Sequence, residues 1–153
     1  MGNTATNGGV FHVEFCQPGP VITNCTLVNN IATYGGAVYA CTPSGSPITI
    51  KNSILWSNTA SIAGQQIYAY FAAGPSASYS LLQGEDDCVE FGLGGYFYDN
   101  GYNSGADPQF MNASDPDGSD DLFGTVDDGL QLQADSPCTV SYTHLTLPTK
   151  RIV

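Results

Sequence analysis

Three features of the sequence predict an all-β chain wound as a parallel β-helix, a solenoid of about three coils followed by a loop-rich closing segment. Its apolar runs are three to four residues long and end at Asn, Gly or Pro, which suits short strands and leaves no room for helices. Those runs recur every 27 to 28 residues, as stacked structural repeats do. Nine Tyr, seven Phe and one Trp in a chain that is 42% apolar supply a core, where the Gly-rich, weakly charged composition alone would suggest disorder.

The coils occupy residues 1–84. Asn30-Ile31-Ala32-Thr33-Tyr34-Gly35-Gly36-Ala37-Val38 echoes Asn3-Thr4-Ala5-Thr6-Asn7-Gly8-Gly9-Val10 upstream and Asn58-Thr59-Ala60-Ser61-Ile62-Ala63-Gly64 downstream. In the same register, Ile22-Thr23-Asn24-Cys25-Thr26-Leu27 matches Ile50-Lys51-Asn52-Ser53-Ile54-Leu55, and Ser78-Tyr79-Ser80-Leu81-Leu82 is a weaker third copy. Each period reads as about three strands. Coils stacked at a strand spacing of about 4.8 Å place equivalent residues in ladders. Ile22 then lies over Ile50, Leu27 over Leu55 and Val38 near Ile67, while Asn24 stacks on Asn52 at a turn. Stacked asparagines are expected to be buried with partners, bonded to the backbone and to each other, as turn formers rather than ligands. Gly8-Gly9 and Gly35-Gly36 read as corners; no Lys or helix follows to make a phosphate loop.

Residues 85–139 form the loop-rich segment, which carries most of the acids. The last stretch, residues 140–153 (VSYTHLTLPTKRIV), has no Gly and no acid, yet holds two of the three Lys and Arg residues. It looks like the translation of a sequencing adaptor and is set aside as a non-native tail, although alternation in Ser141–Leu147 would also suit a strand. Without it, Lys51 stands alone against 14 acids and the formal charge moves from −11 to −13. A chain so poor in cations has nothing to neutralise phosphates or hold an anionic membrane, so nucleic acid is excluded as a partner. No apolar stretch is long enough to span a membrane, and Met1-Gly2-Asn3-Thr4 lacks the character of a signal peptide.

The paired motifs Leu27-Val28-Asn29-Asn30 with Gly35-Gly36-Ala37-Val38, and Leu55-Trp56-Ser57-Asn58 in the next coil, resemble those of bacterial right-handed parallel β-helix repeat proteins, including the polymorphic outer-membrane protein type. The resemblance covers roughly residues 3–84; Ala63-Gly64-Gln65-Gln66 departs from the Gly-Gly-Ala-Val corner. Downstream, Ala106-Asp107-Pro108-Gln109-Phe110 and Leu130-Gln131-Leu132-Gln133-Ala134-Asp135-Ser136-Pro137 look like the closing segments of β-helix surface proteins of the choice-of-anchor type. The resemblance implies a fragment of a longer exported protein, extracellular or on a bacterial cell surface, stacked on further coils of its parent chain. It implies no particular activity, since β-helices host lyases, hydrolases, adhesins and stalks.

Asp115, Asp117, Asp120, Asp121, Asp127 and Asp128 bring six carboxylates into fourteen residues. This stretch reads either as a Ca²⁺ site, with the oxygens gathered round one hard cation, or as a solvated acidic loop. It is not an EF-hand, because Gly118 falls at the fourth position and Val126 at the twelfth. The run Glu85-Asp86-Asp87-Cys88-Val89-Glu90 reads as a solvated loop, with an acidic rim to a glycan or metal site as the alternative. Tyr68, Tyr70, Phe71, Tyr96, Phe97, Tyr98 and Tyr102 either form a sugar-stacking face or fill and cap the solenoid. Trp56 follows the inward Leu55, so alternation turns it outward; Trp56 and Tyr70 are the candidate glycan contacts.

Catalytic residues are not evident. Lys51 and His12 are the only basic side chains before the tail, and no nucleophile pattern accompanies His12. The five cysteines lack metal spacing. Cys25 aligns with Ser53 and reads as a buried thiol, whereas Cys16 and Cys41 follow successive corners at a separation that suits a disulfide, with Cys88–Cys138 as a second pair. Two functions are consistent with these residues. One is a non-catalytic adhesin, stalk or glycan-binding module that meets polysaccharide or a host or neighbouring cell surface. The other is the C-terminal part of a polysaccharide lyase or glycoside hydrolase whose catalytic coils are missing.

Overall fold

A computed structural model describes residues 2–42, 46–71 and 74–139, with the side chain of Asp86 excepted. The expectations for residues 140–153 lie outside the described residues. The chain divides into two compact units, Met1–Ala106 and Asp107–Val153.

The first unit is all-β, and its named strands form four parallel sheets that the chain visits in a fixed cycle. Sheet A holds β1 (Thr4–Asn7), β5 (Ile31–Tyr34) and β9 (Thr59–Ala63). Sheet B holds β2 (Phe11–Glu14), β6 (Val38–Cys41), β10 (Ile67–Ala69) and β13 (Val89–Phe91). Sheet C holds β3 (Val21–Thr23), β7 (Thr49–Lys51), β11 (Ser76–Ser78) and β14 (Tyr98–Asp99). Sheet D holds β4 (Thr26–Val28), β8 (Ile54–Trp56) and β12 (Leu81–Leu82). Each full turn therefore contributes four strands where the sequence suggested about three. The strands of sheet A carry Ala, Thr and Ser, whose small side chains give little apolar signal in the sequence.

The expected ladders are present: Ile22 pairs with Ile50, Leu27 with Leu55 and Val38 with Ile67. Their inward side chains make the core with Val13, Ala77, Leu82 and Val89. Full burial of a side chain such as Leu55 contributes about 1.5–3 kcal/mol. Corners are set by left-handed residues. Asn24 and Asn52 turn the chain from sheet C to D at φ 56° and 48°, the first exposed and the second half-buried where burial was expected, and Gly8, Gly35 and Gly64 turn it from A to B at 60°, 66° and 72°. The departure at Ala63-Gly64-Gln65-Gln66 thus keeps the corner geometry.

Side-chain amides run along the stack as a second ladder. Asn3 Nδ2 donates to Asn30 Oδ1 (3.1 Å), Asn30 Nδ2 to Asn58 Oδ1 (2.8 Å), Asn58 Nδ2 to Gln66 Oε1 (2.7 Å) and Gln66 Nε2 to Gln83 Oε1 (3.1 Å). Asn30, Asn58 and Gln66 are buried, and these bonds satisfy polar groups that would otherwise be costly inside the stack.

The fourth turn is shorter. A 3₁₀ turn over Glu85–Cys88 leads straight to β13, so the chain bypasses sheet A and leaves β9 as an edge. The side chain of Gln65 covers that edge: its Oε1 accepts from Ala60 N (2.9 Å) and its Nε2 donates to Ala60 O (3.3 Å). Glu85–Glu90 is therefore a structured return with Cys88 and Val89 in the core, not a solvated loop. Strand pairing continues beyond residue 84, to the bridge between Leu81 and Ser104.

The second unit is turn-rich, fastened by an antiparallel bridge between Phe110 and Leu132 and by Ser136 Oγ donating to Pro108 O (2.6 Å).

Candidate functional site

Alternation along sheet B sends Val38, Ala40, Ile67 and Ala69 inward and leaves Tyr39, Cys41, Tyr68 and Tyr70 half-buried on the other face. Register then stacks side chains from successive turns. His12 pairs with Tyr39, Tyr39 with Tyr68 and Tyr68 with Glu90. The rings touch: His12 meets Tyr39 edge-on at 4.9 Å, and Tyr39 lies 5.8 Å from Tyr68. Tyr34, the last residue of β5, leans on Tyr68 at 5.1 Å, Tyr70 stacks near Tyr68 at 6.4 Å, and Phe71 packs against Tyr70 at 4.7 Å.

Asn7, Tyr34, Tyr39, Tyr68 and Tyr70 line a shallow concavity of about 300 Å³. Two carboxylates accompany the rings. Glu14 Oε1 lies 3.0 Å from His12 Nε2, and Glu90 Oε2 accepts from Gly64 N (2.8 Å). Burial, then the neighbouring Cys41 and Glu14, pushes the Tyr39 phenol up from its ordinary pKa; burial, then Tyr34 and Glu90, does the same at Tyr68. Both phenols therefore stay protonated at neutral pH, able to donate as well as accept. A surface of ring faces edged by hydroxyls and an amide is suited to stacking against a sugar, whose own faces are apolar and whose rim is polar.

Tyr70, expected as a glycan contact, belongs to this face, but Trp56 does not: it is half-buried on β8 of sheet D, paired with Val28. Of the other expected aromatics, Phe97 packs against the core. Tyr96 and Tyr98 are joined through their hydroxyls, and Tyr102 stacks on Tyr79 at 4.8 Å and 8°. Sequence reasoning missed Tyr34, Tyr39 and His12, although the Val38–Ile67 ladder it did find puts Tyr39 on Tyr68.

Three of the six acidic-loop candidates, Asp120, Asp127 and Asp128, accept hydrogen bonds from the loop's own donors. Asp127 Oδ2 accepts from Ser119 N (2.9 Å) and Ser119 Oγ (2.7 Å), and Asp127 Oδ1 from Thr125 Oγ1 (2.7 Å). Asp120 Oδ1 accepts from Leu122 N and Asp128 Oδ2 from Gly124 N. Among the described residues no group of three or more His, Cys, Asp or Glu side chains is gathered closely enough to hold a metal ion. A Ca²⁺ ion drawing on Asp127 would compete with Ser119 and Thr125 for its oxygens. Those hydroxyls, Ser119 first and Thr125 next, hold the Asp127 carboxyl down at about 2. A folded pKa below the ordinary value of 3.8 means that the carboxylate's stabilisation of the loop is complete above about pH 4 and is lost as pH falls toward 2. A carboxyl-carbon NMR titration is expected to place the Asp127 midpoint at about 2, and Ser119→Ala to move it toward 3.8. A midpoint near 3.8 in the wild type would contradict this hydrogen-bond set.

The expected Cys16–Cys41 disulfide is not formed. The register pairs Cys41 with Glu14, so Cys16 lies two residues past the matching position, and its Sγ donates to Glu14 O at 3.4 Å. Cys16, Cys41 and Cys138 are free thiols, and burial raises the pKa of the last two. Cys25 is half-buried, its N donating to Ser53 Oγ (3.2 Å) as the ladder required.

No protein-family model, no curated protein and no solved structure gives a significant match to this chain. No helix among the described residues is long and apolar enough to cross a membrane.

Proposed function

We propose that the chain is a right-handed parallel β-helix belonging to an exported bacterial surface protein, and that it serves as a non-catalytic glycan-binding module through the tyrosine face of sheet B. The cyclic order of four parallel sheets supports the β-helix, and the paired Asn and Gly-Gly motifs support the surface-protein class. The observation that carries the function is the continuity of the face: rings from three successive turns, at His12, Tyr39 and Tyr68, meet in one row with Tyr34 and Tyr70 beside it. Such a row runs along the stack and fits an extended chain of sugars better than a single compact ligand.

Isothermal titration with soluble β-linked oligosaccharides tests the reading. Tyr68→Ala removes the ring that touches Tyr34, Tyr39 and Tyr70, and is expected to weaken binding at least tenfold, about 1.4 kcal/mol. Trp56→Ala, on another sheet, is expected to leave affinity within a factor of two or so. Equal losses in the two variants, or binding that survives Tyr68→Ala, would remove the face from the mechanism.

A further inference from the structure

Apart from His12, which is paired with Glu14, the charged groups at the tyrosine face are acidic. Glu14 and Glu90 flank it along the stack, and Lys51, the one Lys or Arg among the described residues, lies on β7 of sheet C. Glu14 is already shared with His12, which leaves Glu90 as the carboxylate without a basic neighbour at the face. Its position is fixed from two sides. It stands in register with Tyr68, one strand spacing of about 4.8 Å along the row, and Oε2 is tied to Gly64 N at 2.8 Å while Oε1 takes no part in that bond. The group is exposed, yet its charge reaches the Tyr68 phenol, where it adds to the effect of burial and of Tyr34.

A uronic-acid chain is disfavoured here by the Glu90 carboxylate and by a chain of net charge −11, since His12, the basic group at the face, is already turned to Glu14. A neutral sugar gains only stacking. An ammonium-bearing sugar gains three things at once: its pyranose face against a ring, its cation over the π-face of a tyrosine, and its charge against Glu90.

Resting on the glycan-binding reading above, we infer that the face selects amino sugars carrying a free ammonium group, in a polymer that lies along the Tyr39–Tyr68–Glu90 row. Asn7, Tyr34 and Tyr70 border the row and hydrogen-bond or pack against the hydroxyl rim of the chain.

The test compares three soluble probes by isothermal titration: an oligoglucosamine, its fully N-acetylated form and a neutral oligoglucose of the same length. The oligoglucosamine is expected to bind about tenfold tighter than either of the others, with an advantage that shrinks as salt is raised. Glu90→Gln keeps an oxygen for Gly64 N and removes the charge, so it is expected to abolish that advantage, bringing the three probes to about equal affinity for the variant. Equal affinity for all three probes overturns the amino-sugar selectivity and leaves glycan binding standing. A preference that survives Glu90→Gln also overturns it. Failure of every probe to bind removes the glycan-binding reading together with the selectivity.

Discussion

Asn58→Ala is expected to destabilise the first unit by about 3–4 kcal/mol, read as a lowered urea midpoint with an unchanged slope. Asn58 is 4% exposed and is used on both sides: Oδ1 accepts from the backbone N–H and side-chain amide of Asn30, and Nδ2 donates to Leu27 O and Gln66 Oε1. Truncation strands several of these groups where water does not enter, at about 1–3 kcal/mol for each buried group left without a partner. Asn58→Asp offers no rescue, because it restores the acceptor for Asn30 but sets a buried charge against Gln66 Oε1 and Leu27 O. A loss below about 1 kcal/mol in the alanine variant would mean that the amide ladder fills space rather than holding the parallel strands in register.

Gly36→Ala is expected to cost a comparable amount, about 3 kcal/mol or more, and to melt the pairing of β5 with β9. A methyl on Gly36 would overlap the carbonyl oxygen of Gln65 and lie 2.7 Å from Thr59 N and 2.9 Å from Thr59 C. All three atoms are backbone of the next turn, so relief requires the turns themselves to separate. Gly94→Ala is the matched control: it has a left-handed φ of 62° but no atom within 4 Å of the added methyl. That substitution is expected to cost only the conformational strain, about 1–2 kcal/mol. Thermal unfolding of the two variants side by side separates steric closeness from backbone strain; equal losses would show that the turns are less tightly stacked than Gly36 requires.

The stacking was legible because it depends on residues that cannot be exchanged freely. Asn3, Asn30 and Asn58 recur because each amide bonds the next, and Gly8, Gly35 and Gly64 recur because the corner is left-handed. The extra strand of each turn was hidden by its small residues, since Ala32 and Ala60 are buried without giving a hydrophobic run. The tyrosine face follows a change of step that the Val38–Ile67 ladder already contained, but the ladder was read for its inward residues and not for the outward neighbours beside them. Asn30 bonds Asn58 at a separation of 28, but the register shifts between Ala32 and Tyr34, so Tyr39 pairs with Tyr68 one residue further on. A fixed period of 28 instead sets Tyr39 against Ile67. The cysteines misled for a related reason: following the same type of corner does not place Cys16 and Cys41 at the same position of a turn, and a shift of two residues exceeds what a disulfide tolerates. The acidic loop was legible as charge, but its hydrogen-bond donors, Ser119 and Thr125, have no signature distinct from ordinary turn residues.

The Gln65 side chain has a consequence for how the stack ends. In the two preceding turns a glycine occupies that corner position because the next turn's backbone lies against it; at Gln65 sheet A has no next strand among the described residues, and a long side chain fits. Its amide offers Ala60 the same pair of partners, one acceptor and one donor, that a neighbouring peptide would. To an approaching strand of another molecule, β9 at Ala60 is already occupied, so Gln65 interrupts pairing at that point of an edge that would otherwise be a template for aggregation.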